Sequence, residues 1–442
     1  MNLLQRLIQA NCQTTAISGE RDTSYVQLIQ QALQLRQLHP YLQQHSIALS
    51  YSNLNDFCVA LIAFDGWCNA LYLLPEPTLL LPEHAIHWPT SAPISVSSLK
   101  QHDDDSAQTQ WYLATSGTTG TPKWINHSFI SLSRAIKTSA TATNLHWALC
   151  YQATRFAGLQ VLLQSIVSGA IITDCSVGEP EQRIALMQKH AINAISATPS
   201  LWRQLLMTGQ LNTLSLQQLT LGGEIADQVL LDTLSALFPS AKLLHIYAST
   251  EAGVGFAVAD KQAGFPASWL TEKTNGIGFK IDANQHLWLK TPCSSDAVMV
   301  TAQNEDSFID TTDLVSIKHD RVLFLGRASG VINVGGNKVH PEQVEQVLLQ
   351  HPAVLQTKVY AKASSVLGQL VVADIVINHV NNCTSASAEC IAKDNAEIKL
   401  QLLQHCQQQL QRYQIPTRFN FVSALTTNAS GKLNRQTQER ET

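Results

Sequence analysis

Short apolar runs alternate with amphipathic stretches along the chain as far as Tyr247. The apolar runs have the length and the flanking polar residues that are typical of strands, and they lie at 47–49, 111–114, 170–173, 194–197 and 243–247. Strands that alternate with helix-like stretches indicate an α/β domain. We therefore predict an α/β fold built from βα layers.

The pattern changes at about residue 285. Short strands at 287–289 and 322–325 are separated by turn residues, which predicts a small β-rich subdomain. A last unit opens at Gly326 and Arg327, and a helix is predicted from Pro341, because proline suits the first helical position. Two further strands are predicted at 357–361 and 370–377. A polar, solvated connection is predicted at 383–396, and an amphipathic helix at 397–410.

Composition limits the class of protein. The 442 residues are 45% hydrophobic and 14% charged, which suits a large globular protein with more than one domain. A net charge of -4 without a block of lysine or arginine argues against nucleic acid or an anionic membrane as a partner. Nine scattered cysteines without a Cys-x-x-Cys pair suit reduced thiols, and no stretch has the form of a membrane span or a signal-peptide core. We expect a cytoplasmic protein.

The segment Thr-Ser-Gly-Thr-Thr-Gly-Thr-Pro-Lys, from Thr115 to Lys123, follows one of the predicted strands. Its glycines let the backbone fold closely around an anion, its hydroxyls and amides donate hydrogen bonds, and its lysine supplies positive charge. Pro122 and Trp124 flank the lysine, so this is not the P-loop of kinases and ATPases, in which glycine precedes the lysine and a hydroxyl residue follows it. The segment predicts a phosphate-binding loop of another kind.

Further motifs follow this loop along the chain. They are Tyr-Ala-Ser-Thr-Glu at 247–251, Thr-Thr-Asp-Leu at 311–314, Gly-Arg at 326–327, Gly-Gly-Asn-Lys-Val-His-Pro at 335–341 and Ser-Gly-Lys at 430–432. The order and approximate spacing of these motifs resemble those of the adenylate-forming (AMP-binding) enzyme superfamily, which comprises acyl-CoA synthetases, peptide-synthetase adenylation domains and luciferases. The resemblance runs from about Ser24 to Arg435, and it is closest in style to short acyl- or aryl-CoA ligases and acyl-carrier-protein ligases.

The resemblance implies a two-step acid–thiol ligase. A carboxylate attacks the α-phosphate of ATP, bound with Mg²⁺, to give an acyl-adenylate and pyrophosphate, and a thiol then displaces AMP to form a thioester. The thiol belongs to CoA or to the phosphopantetheine of an acyl carrier protein. The resemblance also implies a large N-terminal domain with a trimmed N-terminal subdomain (1–327) and a small mobile α+β C-terminal domain (328–442).

The resemblance assigns roles to individual residues. Lys432 would bridge the reacting carboxylate and the α-phosphate, Thr250 would contact the α-phosphate, and Arg327 would lie near the ribose and phosphates. Glu251 would hold magnesium, and Asp313 would accept both ribose hydroxyls. The phosphate loop and the adenine site would be formed by Thr115, Ser116, Gly117, Thr118, Thr119, Gly120, Lys123, Gly222, Gly223, Glu224, Tyr247, Ala248 and Ser249, with the ring of Tyr247 stacked on adenine.

The segment 151–159 is predicted to form the acid pocket, because it resembles the aromatic His-x-x-Gly-Leu segment of acyl- and aryl-CoA ligases. Its pocket residues would be Arg155, in the place of the histidine, Phe156 and Gly158. Phe156 stands where an amino-acid-activating enzyme normally carries aspartate, which argues against a free α-amino acid. Two roles stay open for Arg155: it binds a second carboxylate or a hydroxyl of the acid, or it is paired elsewhere as a structural residue.

The resemblance extends to the acceptor, because Gly335 and Gly336 would line a pantetheine channel. Thr312 and Ser329 depart from the family pattern, which has glycine and Asp or Lys at these positions, and only 114 residues precede the phosphate loop. If the glycine position has φ > 0, a β-branched residue suits it poorly. Two alternatives therefore stay open, an amino-acid adenylating enzyme that loads a carrier protein and a nucleotide-binding homologue without ligase activity.

Overall fold

The computed structural model describes residues 1–76, 78–81, 84–89, 108–115, 123–272, 276–290, 308–364, 367–377, 388–428 and 431–434. Its helices are α1 (Leu3–Ala10), α2 (Tyr25–Leu38), α3 (Leu54–Phe64), α4 (Phe129–Ser133), α5 (Ala140–Thr143), α6 (Phe156–Ser168), α7 (Pro180–Lys189), α8 (Pro199–Met207), α9 (Gln228–Leu237), α10 (Pro341–Leu349) and α11 (Ala388–Gln409).

The strands of the first half of the chain are β1 (Thr15–Ile17), β2 (Thr23–Ser24), β3 (Ser46–Ser50), β4 (Ala70–Leu74), β5 (Ala85–Trp88), β6 (Gln110–Ala114), β7 (Trp124–Ser128), β8 (His146–Leu149), β9 (Ile171–Asp174), β10 (Ala194–Ala197) and β11 (Gln218–Gly222). Those of the second half are β12 (Lys242–Ser249), β13 (Gly253–Val258), β14 (Phe265–Pro266), β15 (Gly278–Ile281), β16 (His286–Lys290), β17 (Ile309–Lys318), β18 (Arg321–Arg327), β19 (Ile332–Val334), β20 (Asn337–Val339), β21 (Val354–Ser364), β22 (Gly368–Ile377) and β23 (Arg418–Phe421).

Two mostly parallel sheets form the first part of the molecule. One has the strand order β5-β3-β4-β6-β7, and the other has the order β13-β12-β11-β10-β8-β9-β1-β2. Antiparallel pairing occurs only at sheet margins, between β6 and β7, β12 and β13, and β1 and β2. The apolar faces of α1, α2, α3 and α6 share one core with strands of both sheets. The α/β fold is confirmed, and each strand predicted from the first pattern is present.

Helix α3 shows how the sequence builds this core. Asn53 caps the helix because its side-chain oxygen accepts the backbone N–H of Asp56 at 2.9 Å. All residues from Phe57 to Phe64 are buried, so the helix packs on every side. Among the described residues, no helix combines the length and the apolarity that crossing a membrane requires.

An antiparallel sheet of order β14-β18-β17-β16-β15 follows and has its own small core, which confirms the predicted β-rich subdomain. The last unit packs α10 and α11 against a sheet of β19 to β23 around a separate core. That separate core is consistent with a domain boundary at Arg327, which stays a prediction. The predicted connection 383–396 is wrong from residue 388 onward, since α11 begins at Ala388. This stretch is polar but rich in alanine and other strong helix formers, so its composition favours a helix as well as a connection.

The topology brings the predicted nucleotide-binding residues together. The parallel strands β11 and β12 are paired as far as Gly222, which lies opposite Ile246, one residue before Tyr247. Strands β17 and β18 place Asp313 directly opposite Arg327. In open α/β sheets, ligands bind outside the carboxyl ends of the parallel strands, so this edge is the candidate site.

Candidate functional site

Asp313 is at the centre of the site. Its Oδ2 accepts a hydrogen bond from the hydroxyl of Tyr247, and its Oδ1 lies 3.3 Å from Nε of Arg327. Burial raises the pKa of the Asp313 carboxyl, and the Tyr247 hydrogen bond and the positive charge of Arg327 oppose this effect. Each carboxylate oxygen has two lone pairs, so Asp313 retains the capacity to accept two further hydroxyl donors. This capacity fits a ribose.

Tyr247 is fixed by contacts to its aromatic ring and by the hydrogen bond of its hydroxyl. Its ring is nearly parallel to those of Phe256 and Phe324, with centroid distances of 5.2 and 5.3 Å. Phe256 is its cross-strand partner on β13. Burial raises the pKa of Tyr247 well above its ordinary value, and the nearby Asp313 carboxylate raises it further, so the phenol is the hydrogen-bond donor of this pair. Stacking of adenine on Tyr247 stays a prediction, and the two phenylalanines were not predicted.

Lys432 reaches this site from the C-terminal part of the chain. Its Cε would lie 3.2 Å from a Cβ atom on Gly223, so the lysine side chain crosses directly over that glycine. The next residue is fixed as well, because the backbone N–H of Leu433 donates to Glu224 Oε1 at 2.7 Å. The structure therefore brings Lys432 together with the predicted adenine-site segment.

The charges around Lys432 are mixed. Partial burial lowers the pKa of its ammonium and the neighbouring charge of Arg327 lowers it further, whereas nearby carboxylates raise it. Those carboxylates belong to Glu224, Asp313 and Glu251. The ammonium thus lies within the field of every acidic residue predicted for the nucleotide site.

Thr250 and Glu251 follow β12 and are positioned by a residue that was not predicted. Nε2 of the buried His127 lies 2.7 Å from the Thr250 carbonyl oxygen, which can only accept, so Nε2 carries the proton. Burial lowers the pKa of His127, so the imidazole is neutral at neutral pH. No sequence signal marks this contact, because His127 and Thr250 are far apart along the chain.

The two ends of the predicted phosphate loop are tied together. The backbone N–H of Thr115 donates to the Lys123 carbonyl oxygen at 2.9 Å, which continues the β6–β7 pairing. Ser116, Gly117, Thr118, Thr119 and Gly120 lie outside the described residues, and their phosphate-binding role stays a prediction.

The predicted acid-pocket segment lies against the nucleotide residues. The Tyr151 hydroxyl faces the Gly222 carbonyl oxygen at 3.4 Å, and the ring centroid of Phe156 is 5.8 Å from that of His127. Gly158 has a purely steric reason to be glycine, because a Cβ there would lie 2.2 Å from the Gln152 carbonyl oxygen. It permits the close approach of the segment to α6.

Arg155 precedes α6 and is mostly buried, with 18% of its side chain exposed. Its Nη2 lies 3.6 Å from Oε1 of Glu76, whose side chain is 63% exposed, and its Nε lies 3.4 Å from the Gln152 side-chain oxygen. Burial lowers the pKa of the guanidinium, and Glu76 only partly opposes this. Both contacts are long, so the charge of Arg155 is incompletely paired by these two groups.

Gly335 and Gly336 form the two-residue turn between β19 and β20, with φ of 53° and 88°. A turn with two positive φ values strongly prefers glycine. The hairpin alone accounts for both glycines, and the pantetheine channel stays a prediction.

The family model of the AMP-binding enzyme matches residues 73–287, and that of the AMP-binding enzyme C-terminal domain matches residues 343–432. Together these matches span more than two thirds of the chain. The chain belongs to the AMP-binding enzyme family.

Curated relatives of this AMP-binding enzyme include ligases for different acids. It is 26% identical over 355 residues to the 2-succinylbenzoate–CoA ligase of Bacillus licheniformis, which covers 76% of this chain and 70% of the relative. It is 25% identical over 363 residues to the mitochondrial acyl-coenzyme A synthetase ACSM1 of Mus musculus, which covers 73% of this chain and 60% of the relative.

Solved structures share the fold of this AMP-binding enzyme. The anthranilate CoA ligase AuaEII in complex with anthranoyl-AMP matches with a TM-score of 0.75 at 15% identity, covering 98% of this chain and 95% of the other. The o-succinylbenzoate CoA synthetase MenE of Bacillus subtilis in complex with OSB-AMP matches with a TM-score of 0.68 at 18% identity, covering 100% and 98%. The predicted family, fold and enzyme class, an AMP-forming acid–thiol ligase, are confirmed. MenE of Bacillus subtilis was also solved in complex with ATP and magnesium ion.

Thr312 of this AMP-binding enzyme adopts the conformation that the sequence analysis identified as unfavourable, with φ of 59°. Its backbone N–H donates to Asp310 Oδ1 at 2.8 Å, and the Asp313 N–H donates to Thr311 Oγ1 at 3.2 Å. These bonds hold the turn that presents Asp313, although the left-handed region costs a non-glycine residue roughly 1–2 kcal/mol.

We expect Thr312→Gly to raise the free energy of unfolding by about 1 kcal/mol, because relief of the left-handed strain exceeds the added backbone entropy of glycine. The measurement is the thermal unfolding midpoint. Thr312→Val is the matched control, since it keeps the β-branch and should show no such gain. Equal midpoints for the glycine and valine variants would contradict backbone strain at this position.

Proposed function

We propose that this chain activates a carboxylic acid with ATP and transfers the acyl group to the thiol of coenzyme A. The observation that carries the proposal is the position of Lys432, which crosses Gly223 and lies among the carboxylates of the nucleotide site. A mobile cation from the small domain beside a ribose-binding carboxylate suits a reaction in which phosphate charge develops.

In the first step, a carboxylate oxygen of the acid bonds to the α-phosphorus of ATP, and the bond from that phosphorus to the pyrophosphate oxygen breaks. Lys432 neutralises the two anions as they approach, and the hydroxyl of Thr250 donates to the α-phosphate. The loop between Thr115 and Lys123 holds the β- and γ-phosphates. Positive charge is therefore supplied where the negative charge moves.

Asp313 accepts the ribose hydroxyls, and Arg327 holds Asp313 in place while it faces the phosphates. Mg²⁺ typically takes one or two protein carboxylates and completes its shell with phosphate oxygens and water, so the single carboxylate of Glu251 fits this ion. Bound magnesium would neutralise charge on the phosphates. His127 positions the backbone that carries Thr250 and Glu251.

In the second step, the thiol sulfur bonds to the acyl carbon and AMP leaves with the former carboxylate oxygen. Coenzyme A is the proposed acceptor because the relatives of this chain are named as CoA ligases. Gly335 and Gly336 would line its pantetheine channel. A carrier-protein phosphopantetheine is the alternative acceptor.

The proposed function is tested by pyrophosphate exchange across a panel of carboxylic and amino acids, followed by thioester formation with CoA and with a carrier protein. A best substrate among amino acids, with loading of the carrier protein only, would favour the amino-acid adenylating alternative. ATP binding without exchange for any acid would favour the nucleotide-binding homologue without ligase activity.

We expect Lys432→Ala to slow adenylate formation by roughly 100- to 1,000-fold, about 2.7–4 kcal/mol, since it removes a charge that acts in that transition state. Thioester formation from supplied acyl-adenylate should stay near the wild-type rate. Lys399→Ala removes an exposed lysine of α11 and is the matched control for net charge. Equal losses in both half-reactions would contradict the role of Lys432.

The rate of adenylate formation should decline at alkaline pH with an apparent pKa below the ordinary lysine value of about 10.4. The reason is that the pKa of Lys432 is lowered, so its charge is lost earlier as the pH rises. Lys432→Arg keeps its charge throughout this range, so its residual activity should lack this decline. An identical alkaline limb in both proteins would assign the titration to another group.

Arg155→Ala distinguishes the two roles of Arg155. If the guanidinium meets a polar or anionic group of the acid, use of that acid should fall by roughly tenfold or more, while the KM for ATP stays nearly constant. Arg155→Lys, which keeps the charge but not the planar fork, should be intermediate. Equal losses for all acids would make Arg155 structural, and no loss for any acid would overturn the placement of the pocket.

A further inference from the structure

Glu224 makes two hydrogen bonds that join separate parts of the molecule. Its Oε2 accepts the backbone N–H of Ser200 at 2.9 Å, and its Oε1 accepts that of Leu433 at 2.7 Å. Ser200 lies in the first turn of α8, where backbone N–H groups lack partners within the helix and a negative charge is favourable. The same carboxylate therefore caps a helix of the large domain and binds the residue after Lys432.

The residue before Lys432 is bound as well. The Gly431 carbonyl oxygen accepts a hydrogen bond from Thr198 Oγ1 at 2.5 Å. Thr198 is the N-cap of α8, and Glu224 is bound to Ser200 in the first turn of that helix, so both contacts are anchored at the start of α8. The residues on either side of Lys432 are thus held by Thr198 and Glu224, which we call the clamp. Between these two contacts, the Lys432 side chain crosses Gly223.

Gly223 makes this arrangement sterically feasible. Its φ is 84°, and a Cβ would lie 3.2 Å from Lys432 Cε and 3.6 Å from Thr198 Cγ2. A side chain at this position would meet both the lysine and the clamp. Gly223 and Glu224 thus both contribute to docking the lysine loop, independently of any contact with adenine.

We propose that Glu224 is a positioning residue, which docks the loop 431–433 on the large domain and so aligns Lys432 for adenylate formation. The docking of the loop does not depend on the proposed function. The expected effect on adenylate formation does rest on it. Because Lys432 is needed where pyrophosphate leaves and not for thiol attack, the clamp acts in the first half-reaction alone. Glu224 works through Lys432 and not by direct contact with the reacting atoms.

The test compares Glu224→Ala with Glu181→Ala, which removes an exposed glutamate of α7 outside the clamp and is the matched control for net charge. Glu224→Ala should slow adenylate formation by roughly tenfold or more at saturating ATP, because it removes a hydrogen bond to a charged acceptor. The KM for ATP and the thioester rate from supplied acyl-adenylate should stay within about twofold. Adding Glu224→Ala to Lys432→Ala should cause no further loss, since residues that act as a unit are not additive.

A readout without substrate separates this inference from the proposed function. Amide hydrogen exchange in the segment 425–434 should become faster in Glu224→Ala and stay unchanged in Glu181→Ala, whatever acid the enzyme uses. Where Glu224→Ala fails to fold, Glu224→Gln serves instead, because its amide can accept only one of the two N–H groups and should also loosen the loop.

Three results would overturn the inference. They are unchanged exchange in the Glu224 variant, equal losses in both half-reactions, and a raised KM for ATP with an unchanged saturated rate, which would instead make Glu224 an adenine-binding residue. A wild-type protein that forms no adenylate would contradict the proposed function, while the exchange measurement would still decide whether Glu224 docks the loop.

Discussion

The site depends on opposite charges that two parts of the chain bring close together, where each offsets the cost of burying the other. Asp313 is only 13% exposed, and its negative charge is tolerable there because Tyr247 donates to one oxygen and Arg327 approaches the other. Arg327 itself is 56% exposed, so its side chain is accessible to a ligand. Lys432 adds a second cation near Asp313. An anionic nucleotide would complete this arrangement of charges.

The chain is closely packed around the predicted domain boundary at Arg327. Gly326 precedes Arg327, has φ of 128°, and would place a Cβ 2.2 Å from Glu342 Oε2. The first turn of α10 therefore lies directly over the strand that ends at Arg327. A further contact joins the Gln356 side-chain amide to the Ser200 carbonyl oxygen at 3.4 Å. The start of α8 is thus a common docking point for β21 and for the loop that carries Lys432.

Local sequence signals predicted the architecture well. The strand at Ala194–Ala197 has the predicted bounds, and the helix from Pro341 begins where proline indicated. The sequence pattern raised a positive φ at Thr312 only as a condition, and the structure meets that condition. The start of α11 was missed because a polar, alanine-rich stretch can be either a helix or a connection until its packing is known.

Contacts between distant residues could not be predicted in the same way. Phe256 and Phe324 have no sequence feature that marks them as neighbours of Tyr247, since ordinary core phenylalanines look the same. Thr198 resembles any helix N-cap until Gly431 is placed against it. Glu224 was predicted in the site, but its bond to Leu433 depends on how the C-terminal part of the chain packs.

Transfer of ¹⁸O from the acid to AMP tests the central claim most directly. The acid with the highest pyrophosphate exchange would be prepared with ¹⁸O in its carboxylate and incubated with ATP and CoA, and the AMP would be analysed by mass spectrometry. Attack of the carboxylate on the α-phosphorus followed by thiol displacement predicts one ¹⁸O atom in each AMP. Unlabelled AMP, or label found in phosphate or pyrophosphate, would contradict an acyl-adenylate formed at this cleft.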